Sequence, residues 1–170
     1  MSKHRNSTTH RKIAIATLAA AAVGIPSAAM AQSATAGSPS ATSAAATDQQ
    51  EVVDLVNSER SKAGCGPLSV NEKLTKAAQD HSEDMAAHSN MSHTGSDGSS
   101  PGDRIERAGY SWSTYGENVA YGYESPKSVM EGWMSSPGHK ANILNCDFKE
   151  IGVGVAQPGH YWTQDFGAAR

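Results

Sequence analysis

The feature that most restricts the fold of this chain lies near its C-terminus. Ile151, Val153 and Val155 alternate with Gly152, Gly154 and Ala156, a period of two that fits an extended strand. Pro158-Gly159 suits a tight turn, and His160–Gly167 (HYWTQDFG) returns as a second strand. Upstream the apolar spacing is helical. Helices first and a hairpin last predict an α+β fold in which antiparallel strands are covered by helices.

Local signals place the helices. Thr47-Asp48-Gln49-Gln50 has a capping-box pattern, Val52, Leu55 and Val56 follow at helical spacing, and Gly64 stops the run. Ser69-Val70-Asn71-Glu72 reads as a second capping box. It opens a stripe of Leu74, Ala77, Ala78, His81, Met85 and His88, on which His81 is expected as a hydrogen-bonded core residue. Ser100-Pro101 starts a short helix with Ile105 and Ala108 facing inward, ended by Gly109. Tyr110–Tyr123 reads as strand and loop. Ser125-Pro126 starts a helix burying Val129, Met130, Trp133 and Met134, which Ser136-Pro137-Gly138-His139 breaks before Ala141–Leu144.

The N-terminus reads as an address. Twelve polar, positive residues precede the apolar run Ile13–Ile25, and Ala29-Met30-Ala31 offers a cleavage site. Thirteen apolar residues are too few to span a bilayer, which needs about 20. Residues 1–31 are therefore expected to be a signal peptide, and no lipid anchor or apolar tail is expected to hold the mature chain to a membrane. Residues 32–47 hold 13 Ala, Ser or Thr in 16 and no charge, so a flexible linker is expected there. The folded domain is placed at 48–170, and the mature protein is expected to be secreted as a monomer.

Four of the 14 basic residues and none of the 17 acids fall in 1–31, which leaves 10 against 17, a net of −7, for residues 32–170. That charge argues against nucleic acid as a partner. Cys65 and Cys146 lie in the exported part, where thiols oxidise. A bridge between them is favoured over two separate buried thiols, and it leaves no thiolate nucleophile.

Three polar clusters are read as loops: Ser92-His93-Thr94-Gly95, Gly116-Glu117-Asn118 and Pro137-Gly138-His139. Two imidazoles and a carboxylate can hold a Zn²⁺-like ion with an open position for water, or do acid–base work without metal. Spacing alone equally allows three unrelated surface loops.

The wording of the clusters adds more. Met91-Ser92-His93-Thr94-Gly95, Gly116-Glu117-Asn118-Val119-Ala120, the run Gly132–Leu144 (GWMSSPGHKANIL) and Ile151-Gly152-Val153-Gly154 occur in that order. Over about residues 50–167 the chain strongly resembles the CAP superfamily of cysteine-rich secretory proteins, antigen-5 allergens and plant pathogenesis-related proteins. It is most similar to the short bacterial secreted branch. The resemblance implies a three-layer α–β–α sandwich with a small antiparallel sheet, a C-terminal hairpin and a central cleft. It also implies a cleft site of two His and two Glu that in some members binds a divalent cation such as Zn²⁺.

His93 matches the first family His and Glu117 the Glu of the G-E-N motif. The second Glu position, three residues after Trp133, is Ser136 here. Aligning on Thr163-Gln164 puts Tyr161 at the second His, with His160 one residue early and so on the other strand face. His139 of S-P-G-H is the expected third member. Glu131 and His160 are weaker candidates, and Glu131 falls off the buried face of its helix.

Two functions follow as expectations. One is a non-catalytic extracellular binding module for a small apolar or lipid-like ligand or a partner protein, as the resemblance allows. The other is a metal-dependent secreted hydrolase, a peptidase, in which Glu117, His93 and His139 activate water. The chain has no H-E-x-x-H, and although Ser92 adjoins His93, sequence neighbours need not face each other, which favours the first.

Overall fold

A computed structural model describes residues 41–170, and the expected signal peptide lies outside them. In chain order the elements are α1 (Ala41–Lys62), β1 (Ser69–Val70), α2 (Glu72–His88), α3 (Pro101–Arg107), β2 (Trp112–Tyr121), α4 (Pro126–Ser135), α5 (Pro137–Ile143), β3 (Glu150–Ala156) and β4 (Tyr161–Ala169). The sheet order is β1-β3-β4-β2. The hairpin β3–β4 and the pair β2–β4 are antiparallel. The two-residue β1 is parallel to β3, a departure from the all-antiparallel expectation.

The alternation in β3 sets the layers. Ile151, Val153 and Val155 join Val52 and Val56 of α1, Val129 and Trp133 of α4, Trp162 and Phe166 in the larger core. Gly152 and Gly154 face the other way, where α2 lies directly on them. A Cβ on Gly152 would collide with the backbone of Leu74 and Thr75, and one on Gly154 with that of Ala78 and Gln79. Two smaller clusters fill the α2 side, one of Met85, Val119 and Tyr161, the other of Leu74, Ile105 and Tyr110. The chain is an α–β–α sandwich with both sheet faces covered.

Several boundaries differ from the sequence reading. Helix α1 starts at Ala41, inside the segment expected to be a flexible linker. Alanine has the highest helix propensity, and Ala45 packs against the core, which gives this turn a tertiary anchor. The cap of α2 is Asn71, whose side chain accepts from the amides of Lys73 and Leu74; Ser69 is drawn instead into β1. His88 leaves the buried stripe and sits exposed beside Asp84, because the stripe drifts onto Ser82 and Ala86. The caps at Ser100-Pro101 and Ser125-Pro126 form as expected, each as a capping box.

The Cys65–Cys146 disulfide is present and links residues 81 apart. Beside it, the buried Arg60 donates to the carbonyls of Gly66, Ile143, Asn145 and Phe148. Together they lock the end of α1 to the segment that follows α5.

Candidate functional site

The three predicted clusters occupy three kinds of structure, not three loops. His93 lies in the loop after α2, Glu117 is in the middle of edge strand β2, and His139 is in the first turn of α5. The G-E-N motif can be a strand because its polar side chains are satisfied there. Asn118, fully buried, donates to the Gln164 Oε1 and the His139 carbonyl, and its own Oδ1 accepts from Asn142. Asn142 also donates to the Glu117 carbonyl. This amide chain fastens α5, and with it His139, to β2.

On the α2 side, the Glu117 carboxylate is almost wholly buried, with 2% of its side chain exposed. Its Oε1 accepts from the His93 Nδ1–H at 2.7 Å. Its Oε2 accepts from Arg104 Nη2 at 2.5 Å. Arg104 comes from α3, is buried, and also donates through Nη1 to the Ser99 carbonyl at 3.0 Å. The hydrogen bond to Glu117 raises the His93 imidazole above its ordinary pKa, although burial and Arg104 oppose it. The ring remains half exposed.

The loop carrying His93 is tied to α2 by His81. That ring is buried and its Nε2–H donates to the Ser92 carbonyl at 2.8 Å. A carbonyl only accepts, so the proton is on Nε2 and Nδ1 is a lone pair; Nδ1 has no partner. Burial holds this imidazole below its ordinary value. His81 is therefore a neutral, hydrogen-bonded core histidine, as the sequence predicted.

His139 approaches from the opposite face, around the β2 edge. Burial first, and then the positive charge of His93, hold its imidazole below the ordinary value. Its ring makes no hydrogen bond with Glu117, whose two oxygens are engaged by His93 and Arg104. The structure thus joins His93 to Glu117 directly, while His139 is tied to β2 through its backbone carbonyl and shares no hydrogen bond with either side chain.

The weaker candidates are elsewhere. Glu131 is exposed on α4 and lines a surface depression with Leu55 and Met134, on the far side of the sheet from the Glu117 carboxylate. His160 is in the hairpin turn at φ 53°, five residues before the cross-strand partner of Glu117, roughly 17 Å along the strand.

Two members escaped the sequence reading. Arg104 is four residues before the inward-facing Ala108, so helical periodicity already put both on one face. Asp165 stands directly opposite Glu117 in the β2–β4 register. It is 1% exposed, and neither carboxyl oxygen has a hydrogen-bond partner. Burial, reinforced by the negative charge of Glu117 and opposed by Arg104, pushes Asp165 well above the usual carboxylate range. A central strand covered on both faces buries every side chain it carries, which is the signal that could have singled it out.

The expected shared cation meets a donor set that does not suit it. Among the described residues no group of three or more His, Cys, Asp and Glu is arranged to hold a metal ion. A buried guanidinium already neutralises Glu117, and Ser136 and Tyr161 stand where the wider family pattern has its other ligands.

Comparison with known proteins agrees with this architecture. The family model described as the cysteine-rich secretory protein family (CAP) matches residues 53–166. The Bacillus subtilis (strain 168) protein YkwD is 42% identical over 127 residues, 75% of this chain and 49% of YkwD. The membrane protein YlbC of the same organism is 36% identical over 120 residues, 71% of this chain and 34% of YlbC. A crystal structure of an extracellular protein containing an SCP domain from Bacillus anthracis str. Ames superposes with a TM-score of 0.72 at 29% identity, covering 77% of this chain and 44% of that one. The chain spans about half or less of the length of these relatives. Among the described residues no helix is long and apolar enough to cross a membrane.

Proposed function

Because this chain belongs to the cysteine-rich secretory protein (CAP) family, we propose that it acts outside the cell as a non-catalytic binding module. The cleft beside His93 and Glu117 receives a small apolar or lipid-like ligand or the surface of a protein partner. The signal-like N-terminus and the Cys65–Cys146 bond support export, since such bonds persist in oxidising compartments. The observation that carries the non-catalytic reading is the state of Glu117: each oxygen accepts a charge-assisted hydrogen bond, one from His93 and one from Arg104. A carboxylate so engaged orients its partners and is not free to take a proton from water.

An exposed apolar surface lies four residues further along β2 from Glu117. Met91, two residues before His93, is 50% exposed, and Tyr121, on the same strand as Glu117, is 55% exposed. With Tyr161 and Pro158 they line a shallow cavity of about 320 Å³. Exposed aromatic and thioether side chains suit an apolar or lipid-like ligand.

The test pairs two assays on the purified chain. A fluorescent fatty-acid probe is expected to bind the wild type, and to bind Met91→Ala/Tyr121→Ala at least about tenfold more weakly, about 1.4 kcal/mol. A peptide-library digest is expected to show no cleavage. Cleavage by the wild type that disappears in Glu117→Gln/His139→Ala would establish the hydrolase instead.

A further inference from the structure

We infer that the crevice between α2 and α3 binds an uncharged, hydroxyl-rich ligand of about one sugar ring. It is a cavity of about 300 Å³, separate from the clasp: none of His93, Glu117 and His139 lines it. Helix α2 contributes Lys76, Asp80 and His81, α3 contributes Arg104 and Arg107, and the loop between them contributes Asp97. A water molecule takes about 30 Å³, so the space exceeds the seat of a single structural water. It falls at the small end of ligand pockets.

The charges along the crevice are already matched. Lys76 pairs with Asp80 at 2.8 Å and Arg107 with Asp97 at 3.0 Å. Arg104 is taken by Glu117, and the remaining carboxylate, Asp84, accepts from the amide and hydroxyl of Ser96. Three cations and three carboxylates line the cavity, so an ionic ligand would have to break a pair to enter. An uncharged ligand would not.

The buried side of the crevice has hydrogen-bonding capacity left over. His81 and Arg104 both line it, with 1% and 8% of each residue exposed. His81 Nδ1 and Arg104 Nε are buried without a partner. The first is a lone pair, since Nε2–H serves the Ser92 carbonyl, and the second is an N–H donor. Buried groups of this kind are costly until met. A hydroxyl donates once and accepts as well. Neighbouring hydroxyls on a ring therefore match an acceptor and a donor together, and reach the fixed carboxylate–cation pairs at the rim, without adding charge. Ala77 and Ala108 give the wall a small apolar part, on which the C–H face of a ring can rest.

This inference is independent of the binding-module surface at Met91 and Tyr121, which shares no residue with the crevice. The experiment is amide NMR titration of the full chain with D-glucose and with myo-inositol. Shifts are expected to centre on residues 76–84 and 96–108, with a Kd on the order of 1 mM, as suits so small a ligand. Sodium acetate, methylammonium chloride and N-methylacetamide are expected to leave those amides unmoved. Arg107→Met, at an exposed position, is expected to bind the polyols at least about fivefold more weakly. His81→Phe, which removes the free lone pair, is expected to do the same. Met91→Ala/Tyr121→Ala is expected to bind them as the wild type does. Tighter binding of maltose than of glucose would identify the end of a glycan, and equal binding a free sugar.

Crevice amides that stay unmoved in about 100 mM polyol overturn the inference, since a Kd near 1 mM would saturate the site. So does equal binding of any of the three control solutes, or polyol binding that Arg107→Met leaves unchanged. Should His81→Phe fail to fold, Arg107→Met decides alone, because its side chain is 63% exposed and holds no core contact in place.

Discussion

Two guanidinium groups are buried in this domain, and they are held in different ways. Arg60, on the α1 side, donates to four neutral backbone carbonyls beside the Cys65–Cys146 bond. Arg104, on the α2 side, is paired with a carboxylate that also holds His93 and faces Asp165. The first cation touches nothing that changes charge between acid and alkaline solution. The second sits among groups that do. The same side chain thus serves as a fixed lock on one face of the sheet and as the hub of a proton-responsive clasp on the other. Only the second kind lies on the cleft.

The comparison is broken most forcefully at the lock. Arg60→Met strands four carbonyls in the interior, two of them bonded at wholly buried sites. A loss of about 4–5 kcal/mol is expected in urea unfolding, the same at pH 5.5 and pH 8. Opening the disulfide by Cys65→Ser/Cys146→Ser releases a span of 81 residues. The chain-entropy treatment sets an upper bound of roughly 4.5 kcal/mol, and about 3 kcal/mol is the expected loss. A loss that changed strongly with pH in either variant would erase the distinction between the two arginines.

How far the sequence announced these features follows from what each depends on. Caps at Ser100 and Ser125 form from residues within one turn, and the β3 alternation reflects a strand's own geometry, so all three were legible. His93, Glu117 and His139 were legible as motif words, and their meeting depends on β2 lying at the sheet edge, where a loop from one face and a helix from the other can reach it. Arg104 and Asp165 were not read, because a charged residue stays buried only when a distant partner meets it; the helix face and the central strand mark where burial falls, and neither marks which partner is there. The start of α1 was missed for a related reason: a weak Ala/Ser/Thr segment becomes helical once Ala45 finds the core.

Asp165 sharpens the comparison from the clasp side. Its native carboxyl keeps a proton that the unfolded chain releases near pH 4, so the native state binds more protons above that pH. Stability conferred by this group therefore falls as pH rises toward the native pKa. Asp165→Asn is neutral at every pH and close to isosteric with the protonated acid. It is expected to match the wild type near pH 4 and to exceed it by on the order of 1–2 kcal/mol at pH 8. A difference that stayed constant with pH would mean that Asp165 is ionised in the native state and that the clasp carries a second negative charge.

The smallest effect, and the one that probes the cleft surface, belongs to His93. Its imidazole is held above the ordinary value by Glu117. The stability it adds is then fully present below the unfolded pKa, near 6.5, and is lost as pH rises through the native one. With 54% of the side chain exposed, solvent screens most of the interaction. His93→Ala is expected to cost about 0.5 kcal/mol at pH 5.5 and less at pH 8.5, opposite in pH direction to any benefit from Asp165→Asn. Histidine NMR titration gives the independent check: the His93 resonance should move to a lower pKa in Glu117→Gln. A His93 titration unchanged by that substitution would separate His93 from the carboxylate and leave Arg104 as its only charged partner.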